Sequence, residues 1–356
     1  MVRAVRTLTG KSKRVIVMTV IALAVGVGGS IASLQSHAET PFATAEPENG
    51  TLSAPAVAVN DAAASNGKAV QFAVGSAPGA CNGALNTPGG PDSAGVCWPA
   101  AYNTGYPRGL PGDTRTPVTL TPYTGLCDIR TDNLVIDSKL LNCGGMLVYA
   151  RNVTIKNSKI VGHIFTNSAT ASLTLIDTEV DGGSGHARSI GVNNVTLLRV
   201  NVYGNQHTLQ CSENCTATDS YMHDQYPGGR DLGWHQNSFL TNGGSNLNMI
   251  HNTMGCTGGC TAVIGLIPDY NISGFTADHN LIVASPDSSY CLYGGGNSGN
   301  KPGVASSIVF RNNVVQRGAN GKCGAYGPVT YFNPNSPGNQ WVNNTWSDGS
   351  VLPSAN

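Results

Sequence analysis

One stretch of the chain concentrates side chains that could carry out acid–base chemistry. Residues 223–239 read HDQYPGGRDLGWHQNSF, in a chain that is only 11% charged and 6% aromatic. Histidine exchanges protons near neutral pH, carboxylates act as acids or bases, and arginine neutralises negative charge. The candidate catalytic residues are His223, Asp224, Arg230, Asp231 and His235. The same stretch supplies three candidate substrate-binding residues, which are Trp234, Gln236 and Asn237.

The elements that must position this stretch are short segments that repeat along the chain. Similar segments begin at Asn133, Val153, Leu173, Val195, Cys215, Leu247, Phe275, Ile308 and Asn339. Their spacing is 20 to 22 residues up to Cys215 and 28 to 33 residues after it. A period of this length with one strand-like segment per repeat indicates a solenoid. The longer repeats must carry their additional residues as loops, and residues 223–239 belong to the first of these loops.

Two positions within each segment are expected to face the interior. The eighth is apolar, as in Leu140, Ile160, Val180, Val202, Met222, Met254, Ile282, Val315 and Trp346. The sixth is mostly small or polar, as in Ser138, Ser158, Thr178, Ser220, Asn252, Asn280, Asn313 and Asn344. Side chains alternate along a strand, so both positions share one face. A buried polar column is satisfied when each side chain bonds its neighbour on the next turn, which predicts directly stacked rungs.

With these segments the chain resembles the right-handed parallel β-helix proteins of the pectate-lyase-like group, over about residues 120–350. The predicted fold is all-β, a single-stranded right-handed parallel β-helix of about nine rungs. Leucine-rich repeats are the alternative, but their regular leucine spacing is missing. A motif of secreted β-helix proteins, HD followed by H-x-D-G-x-Q, is similar to His223-Asp224 and His235-Gln236-Asn237. Asn237 stands where that motif has Asp, so an activity that needs this carboxylate would be either lost or carried by Asp231.

Stacking is expected to add residues from other repeats to one outer groove. Tyr203 and His223 occupy an outward column with Asp181, and His207 lies on the rung before His235. The further candidate substrate-binding residues are Tyr203, His207, Tyr290, Tyr293 and Lys322. A groove lined by Arg, Lys, His and Tyr suits an acidic polysaccharide, and β-elimination needs a base, a proton donor and a neutralising cation.

We therefore expect a secreted, carbohydrate-active protein, with a polysaccharide lyase as the first interpretation. A glycoside hydrolase using Asp224 and Asp231 is the second, because hydrolysis requires a pair of carboxyl groups. A non-catalytic glycan-binding or cell-surface solenoid is the third. We expect a monomer with a polysaccharide as its partner. Nucleic acid is excluded as a partner by charge: five of the 20 basic residues precede residue 39, which leaves 15 against 20 acidic residues.

The remaining chain divides into a leader, a linker and a cap. Residues 1–38 contain basic residues, then an apolar run, then a cleavage site of small residues. This order predicts a signal peptide, and an uncleaved membrane anchor is the alternative. After cleavage we expect no stable membrane insertion and an extracellular location. Residues 39–80 have the composition of a flexible linker. Residues 81–126 are expected to form an N-terminal cap and residues 127–356 the β-helix domain.

Ten cysteines in an exported chain predict disulfides rather than a zinc site. Pairing neighbours in sequence gives Cys81–Cys97, Cys127–Cys143, Cys211–Cys215, Cys256–Cys260 and Cys291–Cys323. No cofactor is required. Asp177, Glu179 and Asp181 alternate along one strand and are candidate Ca²⁺ ligands, although a charge ladder with neighbouring basic residues is the favoured interpretation.

His251 and His279 fall in the polar outward column and are expected to be surface or corner residues.

Overall fold

The computed structural model describes residues 56–60, 68–72, 81–296 and 301–354. Regular structure in this part of the chain is β-strand, apart from one 3₁₀ turn at Pro227–Gly229. The predicted signal peptide and most of the predicted linker lie outside the described residues. Within the linker, β1 (Ala56–Asn60) and β2 (Lys68–Phe72) pair antiparallel as a sheet of two strands.

The other 24 strands form a continuous, all-parallel sheet that coils into a parallel β-helix, as predicted. Each turn of the coil passes through three faces. The first face contains β5 (Val135–Asp137), β7 (Val153–Lys156), β9 (Leu173–Ile176), the ends of β11 (Arg188–Leu198) and β13 (His207–Thr218), β16 (Gly244–Ile250), β19 (Ile272–Asp278), β22 (Ala305–Arg311) and β25 (Gln340–Val342).

The second face follows a tight corner and is made of short strands. It contains β3 (Thr121–Pro122), the beginnings of β6 (Lys139–Val148) and β8 (Lys159–Thr166), β10 (Glu179–Asp181), β12 (Asn201–Tyr203), β14 (Tyr221–Met222), β17 (Thr253–Met254), β20 (Leu281–Ile282), β23 (Val314–Val315) and β26 (Thr345–Trp346). The third face contains β4 (Asp128–Ile129), the ends of β6 and β8, the beginnings of β11 and β13, β15 (Asn237–Thr241), β18 (Ala262–Leu266), β21 (Tyr290–Gly294) and β24 (Gly327–Thr330).

The interior has the predicted pattern, with one error of register. Ile160, Val180 and Val202 stack in register on successive strands and are fully buried. In the first repeat, however, Leu141 pairs with Ile160 and is buried, whereas Leu140 is 37% exposed. The first segment therefore begins one residue later than predicted. Apolar residues on both faces, with Val135 and Leu140 outside and Ile136 and Leu141 inside, conceal the alternation that fixes register elsewhere.

The sixth positions form a buried polar ladder. Asn252, Asn280, Asn313 and Asn344 are each at most 2% exposed. The side-chain amide of each of the first three donates to the Oδ1 atom of the next, over 2.8–3.0 Å. Each Oδ1 acceptor also takes the backbone N–H of the preceding asparagine. This ladder fixes the stacking of the later turns, because every buried polar group finds its partner one rung away.

The fifth positions form the corner between the first and second faces. Asp177, Arg199, Asp219, His251 and His279 all have left-handed φ values between 46° and 52°. Asn, Asp and His tolerate this conformation better than most residues, which accounts for their frequency at this corner. Their side chains lie on successive rungs and bond one another, as Arg199 does to Asp177 over 2.7 Å and 2.8 Å.

Residues 81–120, here called the flanking segment, do not simply cap one end of the coil. They run along its side: Asn86 bonds Ser347 and Gln316 on late rungs, whereas Arg115 bonds Asp177 on an early rung. Gly105 lies against Glu179 on the outer side of the second face. The flanking segment thus covers the corner and much of the second face, because polar side chains there supply its hydrogen-bond partners.

Five disulfides join the ten cysteines in the pairs predicted from sequence order: Cys81–Cys97, Cys127–Cys143, Cys211–Cys215, Cys256–Cys260 and Cys291–Cys323. Such a number is compatible with a secreted protein, because disulfides persist in oxidising compartments. Among the residues described, no helix has the length and apolar character needed to cross a membrane.

Candidate functional site

The loop of residues 223–236 connects β14 on the second face to β15 on the third. Its two ends are fixed by buried glutamines. The side-chain amide of Gln225 donates to the Ser238 hydroxyl and the Gly255 carbonyl over 3.2 Å and 3.3 Å. The amide of Gln236 donates to the Tyr226 carbonyl over 2.7 Å. Gln236, predicted to bind substrate, is therefore a buried anchor of the loop.

His223 and Asp224 form a pair at the second-face end of this loop. His223 Nδ1 lies 2.8 Å from Asp224 Oδ2, and its Nε2 lies 2.8 Å from Asn201 Oδ1. The imidazole stacks on Tyr221 with ring centroids 3.9 Å apart. The hydrogen bond from His223 is the main cause that lowers the pKa of Asp224. Both nitrogens of His223 are engaged, so this ring is better placed to orient Asp224 than to accept a substrate proton.

Glu179 organises the neighbouring rungs of the second face. Its Oε1 accepts hydrogen bonds from Lys159 at 2.7 Å and from the Tyr203 hydroxyl at 2.9 Å, and Arg108 approaches Oε2 at 3.1 Å. Burial and the Glu179 charge raise the pKa of Tyr203 to about 12, so its hydroxyl remains protonated. Tyr203, predicted to bind substrate, belongs to this internal network.

The three candidate Ca²⁺ ligands are engaged by other groups. Asp177 pairs with Arg115 and Arg199, and Glu179 is bonded as described above. Asp181 accepts the backbone N–H of Gly183. This is the charge ladder that the sequence favours. Among the described residues, the one group of three His, Cys, Asp or Glu side chains with mutually close ligand atoms lies elsewhere, at Asp92, His251 and His279.

A second cluster lies on the outer side of the third face. Arg188, His207 and Asn237 occupy aligned positions on β11, β13 and β15. Each has a buried polar atom with no hydrogen-bond partner among the described residues: Arg188 Nε, His207 Nδ1 and Asn237 Oδ1. Unpaired buried polar atoms are costly, so their alignment on three consecutive rungs makes this column a candidate binding site.

Aromatic and imidazole rings surround the Arg188–His207–Asn237 column. The Arg188 guanidinium lies over Phe165 at 4.9 Å, and the His163 ring stacks on Phe165 at 4.4 Å. The exposed His186 contacts the Trp234 ring at 4.8 Å. Sequence reasoning missed His163, His186 and Arg188. Aligning the second apolar segment of each repeat would have found Arg188, whose strand β11 pairs with β13, and His163, whose strand β8 pairs with β11.

His235 is a second exposed imidazole of this cluster, after His186. Its Nδ1 lies 3.1 Å from the Thr261 hydroxyl, and Nε2 has no partner among the described residues. His235 and His207 are close enough for the charge of one to lower the pKa of the other. The structure therefore brings together His207, Trp234, His235 and Asn237 of the predicted site.

Other predicted catalytic residues lie apart from His235. His223 and Asp224 face outward from the second face, across a corner of the coil. Arg230 pairs with Asp287 over 3.5 Å, and both side chains are exposed. The exposed Asp231 makes no hydrogen bond or ion pair within the described part of the chain. The predicted five-residue catalytic group is thus divided among separate environments.

Tyrosines continue the third face beyond the Arg188–His207–Asn237 column. Tyr290 and Tyr293 contact each other at 5.9 Å, Tyr290 contacts Tyr326 at 5.9 Å, and Tyr293 contacts Tyr331 at 5.7 Å. Tyr326 is 69% exposed. The exposed Lys322 lies in a loop that Cys291–Cys323 ties to β21. Aromatic faces of this kind suit the apolar faces of sugar rings.

His207 makes the stability of the protein depend on pH. Burial, followed by the charges of Arg188, His186 and His235, lowers its pKa to about 3 from 6.5. Between these values the unfolded chain binds a proton that the native protein does not, so the stabilisation is complete above about pH 6.5 and declines as the pH falls. When the pH is lowered from 7 to about 4.5, the free energy of unfolding should fall in both proteins. We expect the fall to be roughly 2–3 kcal/mol smaller in His207→Gln than in the wild type. Equal losses in denaturant titrations would contradict this assignment.

The third face thus offers a cation, imidazoles and aromatic surfaces on one side of the coil. Arg188 has its pKa lowered by burial, and burial is also the main cause that lowers the pKa of His163. A negatively charged ligand would relieve the cost of the buried guanidinium. Comparisons with protein-family models, with curated proteins and with solved structures gave no match to this chain.

Proposed function

We propose that the protein is an extracellular polysaccharide lyase that binds an acidic glycan on the third face of its β-helix. The proposal depends on one observation, which is that Arg188 has no carboxylate partner among the described residues. Of the nine arginines in the described residues, eight form ion pairs with a carboxylate, and Arg188 forms none. A partly buried guanidinium beside the neutral imidazole of His207 is suited to the carboxylate of a uronic acid.

The reaction follows from the groups around Arg188. Its guanidinium would neutralise the sugar carboxylate and so acidify the hydrogen on the adjacent carbon. His235 Nε2 would take that proton, the electron pair of the broken C–H bond would form a C=C bond, and the bond to the leaving glycosidic oxygen would break. That oxygen would take a proton from water on the open face, because Tyr290 lies four strands from Arg188, roughly 19 Å at the usual strand spacing.

Hydrolysis has weaker support. A glycoside hydrolase needs a general acid whose pKa is raised so that it carries a proton at neutral pH. The pKa of Asp224 is instead lowered by its hydrogen bond to His223. Glycan binding without catalysis remains the second candidate, favoured by the exposed tyrosines at Tyr326 and Tyr331.

Replacement of His235 by Ala tests the proposal. We expect kcat on an acidic polysaccharide to fall at least about a hundredfold, because general base catalysis contributes this much, while folding is unaffected at an exposed position. Formation of the unsaturated product is measured by its ultraviolet absorbance, and reducing ends without that absorbance would indicate hydrolysis instead. His223→Ala is the comparison, and a larger loss there than in His235→Ala would move the reaction to the second face. Retention of glycans by wild-type protein without product would favour the binding function.

A further inference from the structure

Two histidines at the corner of the coil are covered by the flanking segment. His251 and His279 occupy the fifth position of consecutive repeats, and their rings lie 4.9 Å apart. Of the two alternatives that the sequence offers, surface or corner, His251 is a corner residue, and it is only 6% exposed. The flanking segment places the fully buried Trp98 over both rings, at 5.2 Å and 5.0 Å, and adds Asp92 beside them.

We propose that Asp92, His251 and His279 bind a divalent transition-metal ion, for which Zn²⁺ is the best match. One ligand atom from each residue lies within 4.8 Å of the other two. Two imidazole nitrogens and one carboxylate oxygen form a ligand set that Zn²⁺ takes, whereas Ca²⁺ and Mg²⁺ require oxygen ligands.

The orientation of His251 is the strongest support for this site. Its Nδ1 lies 2.6 Å from Asp219 Oδ1, so an Nδ1–H donated to that carboxylate leaves the lone pair on Nε2. Nε2 is buried and has no hydrogen-bond partner among the described residues. A carboxylate that orients a histidine through one nitrogen while the other nitrogen stays free is the usual outer-shell arrangement of a metal ligand.

The orientation of the Asp92 carboxylate is also fixed by hydrogen bonds. Its Oδ1 accepts the backbone N–H groups of Ala94 and Val96, both at 2.8 Å. Oδ2 is thereby directed to the histidines and lies 2.8 Å from His279 Nε2. That contact is an ion-pair distance only: Asp92 Oδ2 and His251 Nε2 are both buried without a hydrogen-bond partner among the described residues, so hydrogen bonding does not account for the cluster. An ion bound by all three groups does.

The site has three protein ligands, and its open side meets a cleft. A cleft of about 590 Å³ is lined by Asp92, Trp98 and His279 and extends along later rungs past Asn312 and Asn343. Three protein ligands with one position left for water or another small ligand are typical of reactive rather than purely structural zinc sites. Because Asp92 belongs to the flanking segment and the histidines to the coil, the ion would also join these two parts.

Metal binding to the full chain, produced without a polyhistidine tag and stripped with a chelator, tests this site. We expect one Co²⁺ per chain with the intense visible absorption of a four-coordinate ion, and its displacement by Zn²⁺. His279→Gln and Asp92→Asn should each weaken Zn²⁺ binding at least about a hundredfold in competition with a chromophoric chelator. Asp219→Asn should weaken it about 10–100-fold, because Asp219 only orients His251.

The control is His186→Gln, which removes an exposed histidine on the third face and should leave the affinity unchanged. Asp92→Asn keeps Oδ1 for its two backbone bonds, so this variant is expected to fold, and circular dichroism checks that it does. Wild-type protein without stoichiometric binding overturns the proposal. So does affinity that survives both His279→Gln and Asp92→Asn, or that falls equally in His186→Gln.

Discussion

Arg188→Gln is expected to lower kcat/KM on an acidic polysaccharide about a thousandfold, because truncating one partner of a buried charge pair costs several kcal/mol. The guanidinium would contact the sugar carboxylate in the bound state and more strongly as negative charge builds up during proton abstraction, so KM should rise and kcat should fall. Stability is expected to stay equal or to rise, since the variant removes a partly buried charge that lacks a carboxylate partner among the described residues. Initial rates by ultraviolet absorbance and unfolding in denaturant provide the two measurements.

Arg130→Gln is the matched control for Arg188. Arg130 also lies over an aromatic ring, Tyr149, at 3.9 Å, but it is largely exposed and pairs with Asp128 over 3.5 Å. Its replacement should leave activity within about twofold of the wild type, because exposed ion pairs contribute little. Arg188→Lys should recover part of the activity, since lysine restores the charge but not the two-pronged geometry. Equal rates in Arg188→Gln and Arg130→Gln would exclude Arg188 from carboxylate recognition.

The sequence predicts the coil because its strongest signals are local. An inward apolar residue and an inward polar residue recur together in each repeat, and both must pack on the same residues one turn away. The predicted register was wrong in the first repeat, which lacks a clear alternation. Leu141 is the buried residue there, and not Leu140. Four of the five disulfides followed for the same reason, since their cysteines lie on adjacent turns or within one turn, whereas Cys81–Cys97 lies in the flanking segment.

The candidate site was less predictable because it depends on where the coil turns. His223 and His235 are near in sequence, yet a corner places them on different faces, with Gln225 and Gln236 anchoring the loop between them. The pairing of Arg188 with His207 follows from a register that spacing alone does not give. Asp92 and Trp98 reach His251 only because the flanking segment runs back along the coil, and no periodic pattern marks a segment of this kind.

Asn280→Ala is expected to destabilise the protein by about 3–5 kcal/mol, because several buried groups lose their partners together. Asn280 Oδ1 accepts the backbone and side-chain N–H groups of Asn252, and its amide donates to Asn313 Oδ1 and to the Met249 carbonyl. All of these groups lie in an interior without access to water. Loss of the ladder at one rung should therefore weaken the stacking of the rungs on both sides. The free energy of unfolding in denaturant measures the effect.

Asn214→Gly separates the buried ladder from asparagine stacking in general. Asn214 also lies in a column of asparagines, donating to Asn194 Oδ1 and accepting from Asn246, but this column is exposed. Its φ of 53° suits glycine, so the change introduces no backbone strain. We expect a loss below about 1 kcal/mol, since water replaces the missing hydrogen bonds. A similar loss in both variants would show that burial is not what makes the Asn252–Asn344 ladder important, and that the coil is held mainly by its apolar core.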